Sequence, residues 1–367
     1  MRCNCSIRLL LVTLITTVCV FTTRCCYSFV PPSTSRIGST CGARAAWNND
    51  RNRLTQQLTS REAVTTGSAI DLETISVALP SNWRDVNDCW SVEAADILTR
   101  FGVVALTSSP SDSDNSGLIS TEIVERANES ATSRLEDMQS RISNRGVDPN
   151  GIEDGPYRFA EIICRDEGGL RYDVPLPWLG DDNNDNDGDC STDNHVGSGR
   201  LGAPLTSIET EGVSCLHKAI DEIVPNVLEA LWSRDEDEDD KKERSSSYVA
   251  ASGFLMNKPG SKAQNWHKDG PDAGFIDCFV PLIDLNEELG PTAFRLNDDE
   301  LVPMLNKGNI LLFDYRTIHR GQGNTSEDTT RTLAYAVYRR REANGDGSKK
   351  ESGDVHNFPA ALTLEYD

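Results

Sequence analysis

"YVAASGFLMNKPGSKAQNWHKDGPDAGFIDCFVPLIDL", residues 248–285, decides the fold. Two apolar runs, "YVAASGFLM" and "GFIDCFVPLIDL", flank a polar stretch rich in Gly, Pro and Asn. Both runs are short and contain β-branched and aromatic residues, so the pattern predicts strands at 248–257 and 274–285. The rhythm continues in "NILLFDY" (309–315) and "RTLAYAVYR" (331–339). Short strands parted by turn residues mark an antiparallel sandwich or jelly roll rather than alternating strand–helix units.

Upstream the periodicity changes. "CWSVEAADILTRFGVVALTSS" (89–109) predicts a helix to Arg100 and a strand over Val103–Leu106. In "LISTEIVERANESATSRLEDMQSRI" (118–142), Ile119, Ile123, Ala127, Ala131, Leu135 and Ile142 fall at helical spacing. "YRFAEIICRDEGGLRYDVPLPW" (157–178) predicts strands around a Gly-Gly turn. "GVSCLHKAIDEIVPNVLEALW" (212–232) predicts an amphipathic helix kinked near Pro225. The fold class expected is mainly β with flanking helices, a jelly roll behind a helical N-terminal part.

Charge divides the chain. Net charge is −22 over 367 residues, which argues against a nucleic-acid or anionic-membrane partner, because such surfaces want a basic footprint. Residues 1–70 nevertheless carry eight Arg, no Lys and only Asp50 and Glu62, a segment of +6 that leaves −28 for the remainder. "LLLVTLITTVCVF" (9–21), preceded by Arg2 and Arg8, suits a signal-peptide core and falls short of the ~20 residues that span a bilayer. Stable membrane insertion is not expected.

We read 1–28 as a signal peptide and 29–75, rich in Ser, Thr and Arg, as a transit-peptide-like segment. The junction "YSFVPPSTSR" is similar to the Phe-containing junction of presequences that enter the complex plastids of diatoms and related algae. That resemblance implies a plastid address, with secretion or the endomembrane system as the alternative. The folded domain is expected at 76–341, with acidic insertions at 180–200 and 233–247 and a flexible tail at 342–367. "GDDNNDNDGDC" (180–190) resembles a calcium loop but lacks the closing Glu, and reads as a solvated loop. Six of eleven cysteines lie in the head. Cys89, Cys164, Cys190, Cys215 and Cys278 show no C-x-x-C and read as inert thiols.

The polar stretch between the first two strands holds His267 and Asp269. With 5 His and 58 acidic residues, about 0.8 His-x-acid pairs arise by chance, so the pair alone means little. In extended backbone, however, i and i+2 face the same way, and His319 follows another apolar strand 52 residues on. Two imidazoles and a carboxylate form the facial set of non-haem Fe(II) centres, although zinc hydrolases use a similar set. Arg331, 12 residues past His319 at a strand start, can clamp a distant carboxylate through its planar guanidinium.

"QNWHKDG" (264–270), "GPTAF" (290–294) and "HRGQGNTS" (319–326) followed by Arg331 together resemble the phytanoyl-CoA dioxygenase family of Fe(II)- and 2-oxoglutarate-dependent oxygenases. The likeness covers mainly 250–340. It implies a double-stranded β-helix in which His267, Asp269 and His319 bind Fe(II) and Arg331 holds the far carboxylate of 2-oxoglutarate, with Asn324 and Gln264 beside the cosubstrate. It implies O₂-dependent hydroxylation of a C–H bond in a small or lipid-like substrate, with succinate and CO₂ as co-products. Asp269 supports that outcome, since related halogenases lack this carboxylate. "RLNDDE" (295–300) departs from the family's usual turn and leaves the substrate open. An inert jelly-roll binding protein and a zinc hydrolase are the rival readings. Asn265, Trp266, Arg158, Arg171 and Tyr172 are candidate pocket residues. His195, His217 and His356 read as loop, packing and tail positions.

Overall fold

The computed structural model describes residues 70–80, 83, 89–109, 117–150, 156–159, 162–166, 168–180, 205–233, 247–297, 299–340 and 364–365. The chain divides into two units, Met1–Gly67 and Ser68–Asp367, and every described residue belongs to the second. The signal-peptide and plastid-address readings, the acidic insertions beyond Gly180 and Ser233, His195 and His356 lie outside the described residues.

The elements run β1 (Ser76–Leu79), α1 (Trp90–Phe101), β2 (Val103–Ser108), α2 (Thr121–Asn144), β3 (Tyr157–Arg158), β4 (Ile163–Cys164) and β5 (Arg171–Pro175). Then come α3 (Ser207–Trp232), β6 (Ser247–Asn257), β7 (Phe275–Pro281), β8 (Thr292–Leu296), β9 (Asp299–Leu301), β10 (Ile310–Asp314), β11 (His319–Gly321), β12 (Arg331–Arg340) and β13 (Leu364–Glu365). A large sheet has the order β1-β2-β10-β7-β12-β6-β5-β4-β3-β13, and a small one the order β11-β8-β9. All pairings are antiparallel except β1 with β2 and β13 with β3. This is the jelly roll expected from the strand rhythm.

Alternation along the strands separates two compartments. On β12, Ala334, Ala336 and Tyr338 join the core that packs against the three helices. Arg331, Leu333, Tyr335 and Val337 take the opposite, inner face. There Phe313 of β10 meets Phe294 of β8 at 5.2 Å between ring centroids and Phe279 of β7 at 4.9 Å, both edge-on. Those rings, with Leu296, Leu301 and Leu311, knit the small sheet to the large one.

α3 is the central helix and contacts α1, α2 and β6. It begins earlier than the sequence predicts, because Thr206 and Glu209 form a capping box: Thr206 Oγ1 accepts from Glu209 N–H and Glu209 Oε2 accepts from Thr206 N–H. Pro225 lies inside it without ending it. No helix among the described residues is long and apolar enough to cross a membrane.

Two packing contacts generate predictions. A Cβ on Gly253 would lie 2.5 Å from the Val174 carbonyl oxygen and 2.8 Å from the Tyr335 ring, which crosses this position to reach β5. Gly253→Ala is expected to cost about 1–3 kcal/mol, read from the urea unfolding midpoint. His217, 2 % exposed, stacks on Trp178 at 3.9 Å and accepts the Leu179 N–H at Nδ1. Burial drives its pKa from 6.5 down to about 3. The folded chain therefore refuses a proton that the unfolded chain takes up below pH 6.5, so His217's contribution is complete above that pH and fades from there toward pH 3. Denaturation of wild type and His217→Gln at pH 7 and pH 5 should show the wild type's advantage shrinking at the lower pH.

Candidate metal centre

Two segments converge at one end of the barrel. His267 N–H donates to the His319 carbonyl and His319 N–H to the His267 carbonyl, each at 2.9 Å. This bridge makes the two histidines direct cross-strand neighbours. Asp269, two residues on, is held by its N–H to the Tyr315 carbonyl at 3.2 Å. His267, Asp269 and His319 thus present ligand atoms that all lie within 4.8 Å of one another. Asp269 Oδ2 stands 3.3 Å from His319 Nε2, and Asp269 Oδ1 stands 3.8 Å from His267 Nε2.

The donor set is prepared for a cation. His267 Nδ1 lies 2.8 Å from the Asn265 carbonyl and His319 Nδ1 lies 3.0 Å from the Thr317 carbonyl. A carbonyl only accepts, so each Nδ1 carries the proton and each Nε2 keeps its lone pair for the shared centre. Burial, the largest effect, lowers the His319 pKa and favours the neutral ligand form. Phe313 and Phe294, at 5.0 and 6.0 Å from the His319 ring, close its apolar side. An open-sided set of two imidazoles and one carboxylate fits Fe(II) chemistry.

Further along the inner wall lies a row of polar residues. Asn257 is the register partner of both Arg171 on β5 and Arg331 on β12. With its amide oxygen turned to them, Asn257 accepts from Arg331 Nη2 at 2.7 Å and from Arg171 Nη1 and Nη2 at 2.9 and 3.0 Å. Arg331 also donates to the Gly290 carbonyl, and Arg171 Nη2 to the carbonyls of Lys262 and Gln322. Arg331 is 1 % exposed and Arg171 5 %. Among the described residues neither forms an ion pair, and Arg331 Nε has no hydrogen-bond partner. Desolvation brings Arg331 down to about 9 and Arg171 to about 10, with repulsion between the two adding to the fall at Arg331. Two buried cations on neutral acceptors could hold an anion.

The other candidates separate. Gln264 Oε1 accepts from Gly321 N–H at 3.0 Å, on the strand pair that carries His267 and His319. Asn324 is fully buried; its Nδ2 donates to the carbonyls of Asn257 and Thr329, and its Oδ1 accepts from Ser326. It therefore organises the loop before β12. Tyr172 alternates with Arg171, points into the helix-side core, and donates to the Gly169 carbonyl. Trp266 lies against Arg295 and Arg320. Asn265 supports His267 through its carbonyl, and Arg158 sits on the two-residue β3.

Sequence reading missed Asn257 and Asp277. Asp277 of β7 is 4 % exposed, with one carboxylate oxygen lacking a partner. Desolvation, reinforced by Asp269 and Asp314, raises its pKa well above the usual carboxylate range and favours the neutral acid. An acidic residue amid "GFIDCFV" was its only signal.

No family model matches the chain. A curated protein named dioxygenase hkm4, from Aspergillus hancockii, is 27 % identical over an alignment of 115 residues that covers 24 % of this chain. The chain spans 38 % of the length of that relative. Among solved structures, AviO1 from Streptomyces viridochromogenes overlays with a TM-score of 0.40 at 13 % identity, over 68 % of this chain and 94 % of that one. SnoN, a non-heme alpha-ketoglutarate-dependent epimerase from nogalamycin biosynthesis, overlays with a TM-score of 0.37 at 16 % identity, over 68 % and 83 %.

The ligand set generates its own prediction. Asp269→Ala and His319→Ala should each lower Co(II) affinity at least about 100-fold, because second-sphere changes alone cost 10–100-fold. Titration of the Co(II) absorbance in apo-protein reads this directly. Unchanged midpoints in both variants would remove these residues from the metal site.

Proposed function

We propose that this protein is an Fe(II)- and 2-oxoglutarate-dependent oxygenase that hydroxylates a C–H bond of a small-molecule or lipid-like substrate. Its motif order resembles that of the phytanoyl-CoA dioxygenase family, which supports this reading. One observation carries the reading: a His/Asp/His set and an uncompensated pair of buried arginines share the inside of one barrel.

The spacing suits a dicarboxylate. His319 and Gly321 lie on the same face of β11, one strand repeat or about 7 Å apart. A Cβ on Gly321 would fall 2.5 Å from Arg171 Nη1 and 2.8 Å from Gln264 Oε1. Arg171 therefore reaches the strand that carries a ligand, and through Asn257 it stands beside Arg331. A short acid can present one end to the metal ligands and the other to the arginines. Its second carboxylate would give the unpartnered Arg331 Nε–H an acceptor and offset two buried positive charges.

When bound, Fe(II) supplies O₂-dependent oxidation coupled to conversion of 2-oxoglutarate to succinate and CO₂. The chain's own residues do the rest. His267, Asp269 and His319 fix one face of the centre and leave the other open. Arg331 and Arg171 orient the cosubstrate. Phe294 and Phe313 keep the His319 side dry.

The test separates cosubstrate binding from metal binding. Truncating one member of a buried charge pair typically costs about 2–5 kcal/mol, and about 1.4 kcal/mol is tenfold. Arg331→Ala should weaken 2-oxoglutarate roughly 30-fold or more and leave Fe(II) affinity nearly unchanged, while Arg331→Lys recovers part of the loss. Titration of the iron–2-oxoglutarate absorbance, with succinate formation as the second readout, decides it. Equal midpoints in all three proteins would refute the role of Arg331.

A further inference from the structure

On the outer side of the strands that carry the metal ligands lies a cavity of about 250 Å³. Four cations line it: Arg100, Lys268, Arg295 and Arg316. Such a concentration is unexpected in a chain of net charge −22. Arg316 is neutralised by a two-pronged pair with Asp314, at 2.6 and 2.8 Å. Among the described residues, no ion pair joins Arg100, Lys268 or Arg295 to a carboxylate. Arg100 closes the last turn of α1, and Thr317 and Ile318 complete the wall beside it.

Arg295 is held in place. Its guanidinium carbon lies 4.5 Å from the centre of the Trp266 ring, and that of Arg320 lies 4.4 Å from the same ring. Stacking on an indole fixes a guanidinium plane without using its donors. Glu300, the cross-strand partner of Arg295, forms its ion pair with Arg320 instead, at 3.2 Å.

We propose that this cavity binds the phosphoryl end of a soluble phosphorylated small molecule, at a site separate from the metal centre. Three cations without described counter-ions call for a multiply charged anion. A single carboxylate would leave two of them uncompensated, whereas a phosphate ester or diphosphate offers two or more charges and several acceptor oxygens to planar forks and an ammonium. The volume suits a phosphorylated headgroup rather than a whole drug-sized ligand.

The site also has a physical link to the metal centre. Lys268 sits between His267 and Asp269 and lines the outer cavity, while the ligand atoms of its two neighbours converge with those of His319. The Thr317 carbonyl that holds His319 Nδ1 belongs to a residue of the cavity wall. The ligand segments thus form the partition between the two sites. The binding proposed for the outer cavity does not depend on which metal or reaction occupies the inner one.

The probe is inorganic pyrophosphate, titrated calorimetrically into the metal-free full-length chain at about 50 mM salt. A Kd below about 1 mM is expected, weakening as salt screens the exposed cations. Arg295→Gln and Arg316→Gln, both on exposed side chains, serve as single variants, and Lys268→Gln/Arg295→Gln should weaken binding roughly tenfold or more. Arg331→Ala should leave it within about twofold, because the inner arginine pair is a different anion site. Absence of binding at 5 mM pyrophosphate, or retention of full affinity in the double variant, overturns the proposal. So does an equal loss in Arg331→Ala, which would assign the binding to the barrel interior. Sedimentation with phosphatidic-acid vesicles but no affinity for pyrophosphate would make the patch a membrane contact, and the proposal would fail.

Discussion

Two backbone hydrogen bonds between His267 and His319 hold this site together. Each bond contributes only about 0.5–1.5 kcal/mol to stability. Their importance is geometric. They join segments 52 residues apart in sequence at one cross-strand position, so that both imidazoles rise from the same patch of wall. The short β11 depends on them, and so does the path of the chain from β10 through Tyr315 into it. Once this pair is fixed, the i, i+2 spacing delivers Asp269, and the carbonyls of Asn265 and Thr317 set both tautomers. Nothing flexible intervenes between the fold and the ligand atoms.

The second constraint is electrostatic. An interior lined by Phe279, Phe294 and Phe313 accommodates charge poorly, yet Arg171 and Arg331 stand side by side in it. Neutral oxygens from Asn257, Gly290, Lys262 and Gln322 solvate them only in part. Such an arrangement costs stability, and on the function proposed above it keeps an anion preference ready at a fixed place. Asp277 is a second buried titratable group, held toward neutrality by desolvation and by Asp269 and Asp314, and turned to the inner compartment.

Much of this was legible in the sequence. The strand rhythm after residue 248 reflects local alternation, which a one-dimensional pattern records faithfully. The clustering of His267 with Asp269 was legible for the same reason, since the two need only i, i+2 spacing to share a face. The row Arg171–Asn257–Arg331 was not. Its members are 86 and 74 residues apart, brought together by strand register that no local pattern encodes. Strands of three residues, such as β9 and β11, are too short to carry a period of their own. Asn324 shows another limit: sequence displays its polarity but not that loop carbonyls already occupy its amide. Tyr172 shows a third, for one step along a strand moves a side chain from the barrel to the helices.

That last sensitivity bears on how this architecture can change. Between Trp266 and Asp269 the chain offers its residues alternately to two compartments, Trp266 and Lys268 outward, His267 and Asp269 inward. A single-residue insertion or deletion here would not degrade the site gradually. It would exchange the occupants, sending Lys268 toward the interior and the ligands to solvent. The four residues Trp266 to Asp269 therefore tolerate substitution more readily than a change of length.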